Sequence, residues 1–398
     1  MLSVTSQQKR ALVAASLGWM LDAMDVMLYS LVLVAVQKEL GLSPGASGLL
    51  MSLTLGAAAA GGLLFGRLAD QFGRARAMMA SILVYSIFTG LSGLAQNAWQ
   101  LGVFRLLLGL GMGGEWASGA TLVAETWPAE HRGKALAFMQ SFWAVGYAVA
   151  VAVTWLVLPR FGWRAVFFVG VLPALLTLWI RTGVEEPQMW RERRTPTPLA
   201  AIFRGGLGLR TLIVTSLNAA SLFAWWGMFT WIPGFLSLPA ERGGRGLDIA
   251  QSSTWMLLMQ AGAWVGYVTF GFISDRFGDK RTYTGYLLAA AALVPAYAVA
   301  RDSQTLLLLS PLLGFFCTGC FSGFAIVSSA LFPTVVRGTA LGFSYNTGRI
   351  LSVMAPYTIG KLSETYGLAA AFFLTSAAYL AAALITTALE ETRGKALE

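Results

Sequence analysis

Charged positions along this chain fall in clusters, and between the clusters run long stretches with none. No Asp, Glu, Lys or Arg occurs in 40–66, 77–104, 135–159, 165–180, 211–240, 249–274, 282–300, 303–336 or 365–389. About 20 apolar residues, rising about 1.5 Å each as a helix, cross the hydrocarbon core of a bilayer. These nine runs therefore predict membrane-crossing helices, with 165–180 the shortest. Segments 11–34, 99–124 and 338–360 have the same length but carry charges, which brings the expected crossings to twelve. In lipid every backbone polar group must be satisfied within its own segment, so an all-α membrane protein is expected. The short alternating segments of a β-barrel are absent.

Composition agrees with that pattern. Of the 398 residues 56% are hydrophobic and only 12% charged, about half the charged fraction of a soluble domain. A net charge of +9 raises the possibility of nucleic acid as a partner, but the placement of the charges argues for a lipid bilayer instead. With the N-terminus inside, 19 of the 28 Lys and Arg lie on the cytoplasmic side and 7 on the other, while Arg105 and Arg349 fall within crossing segments. That asymmetry is the positive-inside rule, and it predicts a multi-pass inner (plasma) membrane protein with both termini cytoplasmic. The first segment carries Asp22 and Asp25 and lacks a cleavage site, unlike a signal peptide.

The chain also repeats itself. Gly66, Asp70, Gly73 and Arg76 recur as Gly271, Asp275, Gly278 and Arg281, an offset of 205 residues. Pro128, Arg132, Gly133, Ala135 and Phe138 recur at the same offset as Pro333, Arg337, Gly338, Ala340 and Phe343, and Gly109 and Gly114 as Gly314 and Gly319. Three matches at one offset, with both basic loops facing inward, predict a parallel repeat of six helices about an axis along the membrane normal. The expected organisation is a six-helix bundle over 1–182, a flexible cytoplasmic linker over 183–209 with two Thr-Pro steps, and a second bundle over 210–398.

These residues carry a family resemblance. The loop from Gly66 to Arg76 resembles the signature between helices two and three of the major facilitator superfamily, and Glu125-xx-Pro128-xxx-Arg132-Gly133 resembles the signature ending helix four of its sugar-porter-like branch. Glu186-Pro187-xx-Trp190 and Glu391-Thr392-Arg393-Gly394 look like weaker forms of that branch's later motifs. Trp19-Met20-Leu21-Asp22-Ala23-Met24-Asp25 and Gly111-Met112-Gly113-Gly114-Glu115-Trp116 are similar to the sialate/lactate:proton symporters, with the aromatic-acid:proton symporters second. The resemblance implies the major facilitator fold, twelve helices in two six-helix bundles, and secondary transport. The second-half loop departs from the pattern at Asp279, where a basic residue is usual, and Ala330 stands where an acid is expected.

A charge inside the hydrocarbon costs at least a few kcal/mol, so each one demands a reason. Counting rise per residue puts Asp22 about 16 Å and Asp25 about 21 Å into the membrane from inside, and Arg105 about 9 Å from outside. In a core of about 30 Å, Asp25 and Arg105 then share a level and are expected to pair, with Asp22 one turn inward. Two carboxyls beside one guanidinium cannot both be compensated, so one should take up a proton readily, as a proton-coupled symporter requires. The resemblance also assigns coupling to the acid of the first helix and the arginine of the fourth. The alternative is a static bridge locking two helices. Glu115, roughly 24 Å from the outer face, is a further candidate for coupling or for an inner gate.

Arg349 lies about 16 Å in from the inside, with no acidic residue in its half at that depth. It is expected either to bind a substrate carboxylate through its planar fork or to pair with Asp22 or Asp25. Asn218, Gln260, Asn346, Gln140, Tyr29 and Tyr345 are expected to complete the pocket, and Trp143, Tyr147, Trp225 and Trp226 could line it. Gly66, Asp70, Gly73, Arg74 and Arg76 fall on a tight inner loop, where the glycines would permit close approach, the aspartate would cap a helix start and the arginines would reach Glu125, with Arg132 of the helix-four signature also expected at the gate. Asp275, Arg276 and Arg281 would serve the same gate in the second half.

Other chemistry is not indicated. Gly109-Leu110-Gly111-Met112-Gly113-Gly114 has the look of a dinucleotide loop but sits inside a crossing helix, where small residues serve packing. Cys317 and Cys320 share one face of an uncharged helix, and His131 is the sole histidine, so neither a metal centre nor a cofactor is expected. The sequence therefore predicts no enzyme but a proton-driven symporter of a small organic anion, lactate-like or sialic-acid-like, for which a monomer suffices. Aromatic acids or neutral sugars are the alternative substrates, and a membrane receptor is a remote alternative.

Overall fold

The computed structural model describes residues 5–186 and 198–391; within them the side chains of Asp70 and Arg132, both expected at the gate, also lie outside the described residues. Every regular element among them is helical. The first compact unit is Met1–Arg194 and the second Thr195–Glu398.

The first unit holds α1 (Ser6–Leu40), α2 (Pro44–Phe72), α3 (Arg74–Ser92), α4 (Ala98–Thr126), α5 (Ala129–Val169) and α6 (Ala174–Gly183). Polar residues at the membrane edge fix where these begin. Thr5 and Gln8 form a reciprocal capping box on α1, Ser43 caps α2 ahead of Pro44, and Asn97 accepts the Gln100 N–H at the start of α4. α5 contains two crossings, turned at Gly162, whose φ of 76° suits a residue with no Cβ. The sixth crossing is itself broken at 170–173, which ends on Pro173, and resumes as α6.

The second unit repeats the plan after a 3-10 turn at Leu199–Phe203: α7 (Leu207–Phe229), α8 (Ile232–Ser237), α9 (Ile249–Phe277), α10 (Asp279–Val299), α11 (Ser303–Ala330), α12 (Thr334–Ser352) and α13 (Ala355–Thr386). Nine stretches among the described residues are long and apolar enough to cross a membrane. Two of them, Lys134–Thr177 and Thr339–Thr386, hold two crossings each; with the charge-bearing α4, the twelve-helix fold is complete. The positive-φ glycines keep the offset of 205: Gly41 and Gly246, Gly73 and Gly278, Gly162 and Gly367. Asp302, which caps α11 by accepting the Thr305 N–H at 2.7 Å, has its carboxyl held below the usual range by that backbone bond.

Close helix packing accounts for the glycine run of α4. A Cβ on Gly113 would lie 1.8 Å from the carbonyl oxygen of Ala58 in α2, and one on Gly314 of α11 would lie 1.8 Å from that of Met259 in α9. The second unit also ties two helix breaks together. Trp231, buried between α7 and α8, donates its indole N–H to the carbonyl of Pro356, just past the break between α12 and α13, at 3.0 Å.

The expected linker over 183–209 is structured at both described ends. Ile202 is buried and its carbonyl accepts the Thr211 hydroxyl of α7 at 2.9 Å, because Leu199, Ile202 and Phe203 supply apolar surface that the Thr-Pro count overlooked. At the other end Glu186 docks on α3.

Candidate functional site

Each intramembrane charge read from the sequence is buried: Asp22, Asp25, Arg105, Glu115 and Arg349. The first four belong to one bundle and Arg349 to the other.

In the first bundle α1 carries Asp25 against α3. Its Oδ2 lies 3.0 Å from the Thr89 hydroxyl, while Oδ1 has no partner. The expected Asp25–Arg105 ion pair is not formed. The Arg105 guanidinium lies over the Tyr29 ring, 4.7 Å from its centroid, with Nη2 on the Met51 sulfur at 3.8 Å and with Nε and Nη1 unpartnered. Depth places two residues at one level but does not set their direction around each helix, and Arg105 turns toward an aromatic face and a thioether. Asp25 and Arg105 remain within electrostatic reach. Tyr29, expected in the substrate pocket, is instead fully buried and donates to the Ser47 carbonyl at 2.9 Å, so it supports Arg105.

Glu115 of α4 points at α1. A Cβ on Gly18 would sit 2.3 Å from Glu115 Oε1, so the glycine makes the room, and neither carboxyl oxygen meets a donor. Asp22 lies within electrostatic reach of both Asp25 and Glu115. Trp19 and Trp143 close the cluster with ring centroids 4.7 Å apart, Tyr147 is buried and Gln140 half-buried on the same α5. Two residues absent from the sequence reading belong here, Thr89 and Tyr85. The Tyr85 hydroxyl is buried without a partner within electrostatic reach of Asp22, Glu115 and Asp25.

In the second bundle Arg349 ends α12, with 3% of its surface exposed. It lies 5.1 Å from the Tyr345 ring centroid, and Nη2 reaches the Tyr345 hydroxyl at 3.5 Å. Nε and Nη1 meet no acceptor. Asn218 of α7 is equally buried with both amide atoms unpartnered. It is packed beside Arg349 through Gly348, where a Cβ would come within 2.7 Å of the Asn218 Cβ. Gln260 is buried with a free Nε2. Asn346 is half-buried and donates to its own helix, to the Gly342 carbonyl at 2.9 Å. Trp225 stacks on Phe229 and donates to Thr318 at 3.1 Å, next to Trp226.

The cytoplasmic loop of the first bundle forms the predicted ion pair: Arg74 holds Glu125 through two bonds, of 2.8 Å and 3.1 Å. The helix-start cap comes from elsewhere than expected. Asp70 falls in the last turn of α2, and Glu186 caps α3 by accepting the Arg74 N–H at 2.6 Å and that of exposed Arg76 at 3.3 Å. Gly73, at φ 112°, leaves room for that carboxylate. Gly66 makes no close approach, since a Cβ there would meet open space. In the second bundle Glu391, 205 residues after Glu186, caps α10 through the Asp279 N–H at 2.8 Å. Asp275, Arg276 and Arg281 are exposed, and Asp275 and Arg281 make no ion pair among the described residues. With Asp279 in place of a basic residue, Lys280 bonds the Thr387 carbonyl at 2.9 Å instead.

Among the described residues no His, Cys, Asp or Glu cluster could hold a metal. Cys317 and Cys320 are buried and free, and Cys320 Sγ donates to the Cys317 carbonyl at 3.3 Å.

Two six-helix repeats, each with unpaired polar groups in its core among the described residues, define a helical membrane protein able to hold a polar solute within the bilayer. The sequence pattern of the Major Facilitator Superfamily matches residues 15–242 and 236–397, and the chain belongs to that family of transporters. It is 35% identical over 406 residues to a protein of Cupriavidus pinatubonensis described as a probable 4-methylmuconolactone transporter, covering 98% of this chain and 92% of that one. It is 32% identical over 385 residues to the sialic acid transporter NanX of Escherichia coli, covering 95% and 93%. A solved D-xylose-proton symporter superposes with a TM-score of 0.79 at 20% identity, covering 98% of this chain and all of that one, and shows the shared fold.

Proposed function

We propose that this transporter is a proton-coupled symporter of a small organic anion, a sugar acid of the sialic type or a small monocarboxylate. It resides in the inner (plasma) membrane with both termini cytoplasmic and works by alternating access. The observation that carries the reading is Arg349: a buried guanidinium with two nitrogens unmet by protein is costly unless something fills them. A carboxylate is the group whose geometry answers that fork. Asn218 and Gln260 offer amides for hydroxyl or carbonyl groups beside it. Of the two similar proteins named above, one is described as a sialic acid transporter and the other as a probable 4-methylmuconolactone transporter, and the acid of the first favours the same class.

The acids of the first bundle supply the proton site. Among the described residues Asp25 and Glu115 are buried with no cation within ion-pair distance, so taking up a proton removes the cost of a bare charge during transport. Arg105, set over Tyr29, keeps a compensating positive charge near without locking either acid.

The direct test is uptake of labelled N-acetylneuraminate and of small carboxylates into liposomes holding the purified full chain. An acid-outside gradient should drive accumulation that a protonophore abolishes. Uptake of the same rate and extent with and without the gradient would overturn the coupling.

A further inference from the structure

Thr89 sits on α3, facing Asp25, at a place no motif marks. Its hydroxyl is 2.8 Å from the carbonyl of Tyr85 one turn back and 3.0 Å from Asp25 Oδ2. A hydroxyl has one proton and two lone pairs, whereas a carbonyl can only accept. Thr89 is thus within donating distance of two acceptors, the carbonyl of its own helix and the Asp25 carboxyl, and its one proton serves one of them at a time. An ionised Asp25 accepts that proton; a protonated Asp25 donates to the hydroxyl oxygen instead and leaves the proton for the Tyr85 carbonyl. Among the described residues nothing else holds Asp25, because its Oδ1 receives no hydrogen bond and Arg105 rests on Tyr29 rather than on Asp25.

We propose that Thr89 is a two-way hydrogen-bond switch that positions Asp25 and passes its protonation state to α3. With the proton on Asp25, the acid donates to Thr89 and Thr89 donates to the Tyr85 carbonyl. When the proton leaves, the threonine hydroxyl rotates, donates to the carboxylate and releases that carbonyl, which keeps its helical N–H bond. A turn of the hydroxyl about its Cβ–Oγ bond thus exchanges a bond internal to α3 for a bond between α1 and α3. The break in the sixth crossing lies directly over the pair: a Cβ on Gly170 would fall 2.2 Å from Thr89 Cγ2 and 2.9 Å from Asp25 Oδ1. The break thus packs against both partners of the exchange. The charged and titratable groups around Asp25 are Asp22 on its own helix, Tyr85 on α3, and Arg105 on α4, with Glu115 acting beyond Asp22; the break contributes only glycine.

The inference rests on Asp25 being a proton site of the proposed symporter, and its test needs no substrate. Acid-minus-base infrared difference spectra of the full chain in lipid should contain a protonated-carboxyl band that Asp25→Asn removes. Thr89→Val, nearly the same shape, withdraws the donor from the carboxylate and the acceptor from the acid. The charge-assisted bond is the stronger of the two, so the Asp25 titration should move toward alkaline pH by about one unit, roughly tenfold in proton affinity. Thr89→Ser should restore the wild-type position. A Thr89→Val spectrum that titrates as wild type, or no Asp25-dependent band at any pH, would overturn the switch. Failure of the symport reading would show separately, as uptake by the wild-type chain indifferent to a pH gradient.

Discussion

Replacing Arg349 by glutamine tests the substrate reading at its centre. The side chain becomes two bonds shorter and keeps one amide N–H₂, but the charge and the fork are lost. A carboxylate held by the guanidinium gains two charge-assisted hydrogen bonds, each contributing about 1.5–3 kcal/mol. The amide recovers part of one of them. The net loss is then about 3 kcal/mol, or roughly 100- to 200-fold in apparent affinity. Stability should respond in the opposite sense. In the wild type Nε and Nη1 are buried without acceptors, so removing the charge relieves a desolvation cost and the melting temperature should hold or rise. Concentration-dependent uptake into liposomes, run beside thermal unfolding without ligand, reads both quantities from one preparation. An affinity within about threefold of wild type, together with a lowered melting temperature, would refute the reasoning and assign Arg349 a structural role.

Three further outcomes follow from geometry. Gly113→Ala should lower the melting temperature by several degrees, a cost of about 1–3 kcal/mol, because its Cβ would strike backbone of α2; Gly66→Ala, in open space, should be neutral or stabilising. Arg74 and Glu125, with side chains 13% and 17% exposed, should show a coupling of about 1–2 kcal/mol in a double-mutant cycle of thermal stability. Asp302→Ala should destabilise at neutral pH. Since its folded carboxyl is held below the ordinary range, that difference is present above about pH 3.9 and fades as the pH falls through the folded value, which unfolding at a series of pH values would display.

Much of the architecture could be read directly in the sequence, because bilayer physics writes it there in bulk. Uncharged runs of crossing length marked the helices, and the offset of 205 residues marked the repeat, to which the structure adds the positive-φ pairs Gly41/Gly246 and Gly162/Gly367. The five intramembrane charges were found because each violates the solvent around it. Thr89 and Tyr85 stayed hidden for the converse reason: a lone hydroxyl in an apolar helix breaks no rule of composition. The Asp25–Arg105 pair was misjudged because rise per residue fixes height and leaves rotation about the helix open. Glu186 was read as part of a motif, but its docking on α3, 112 residues away in the chain, has no periodic trace.

Glu186 and Glu391 have a consequence for how the protein could be taken apart. Each carboxylate returns from the exit of its bundle's last crossing to the first turn of the third, so each half fastens its own ring with its own clasp. A chain severed between the halves keeps both clasps intact. Two separately made pieces should then fold as finished bundles, and co-expression has only to bring them together.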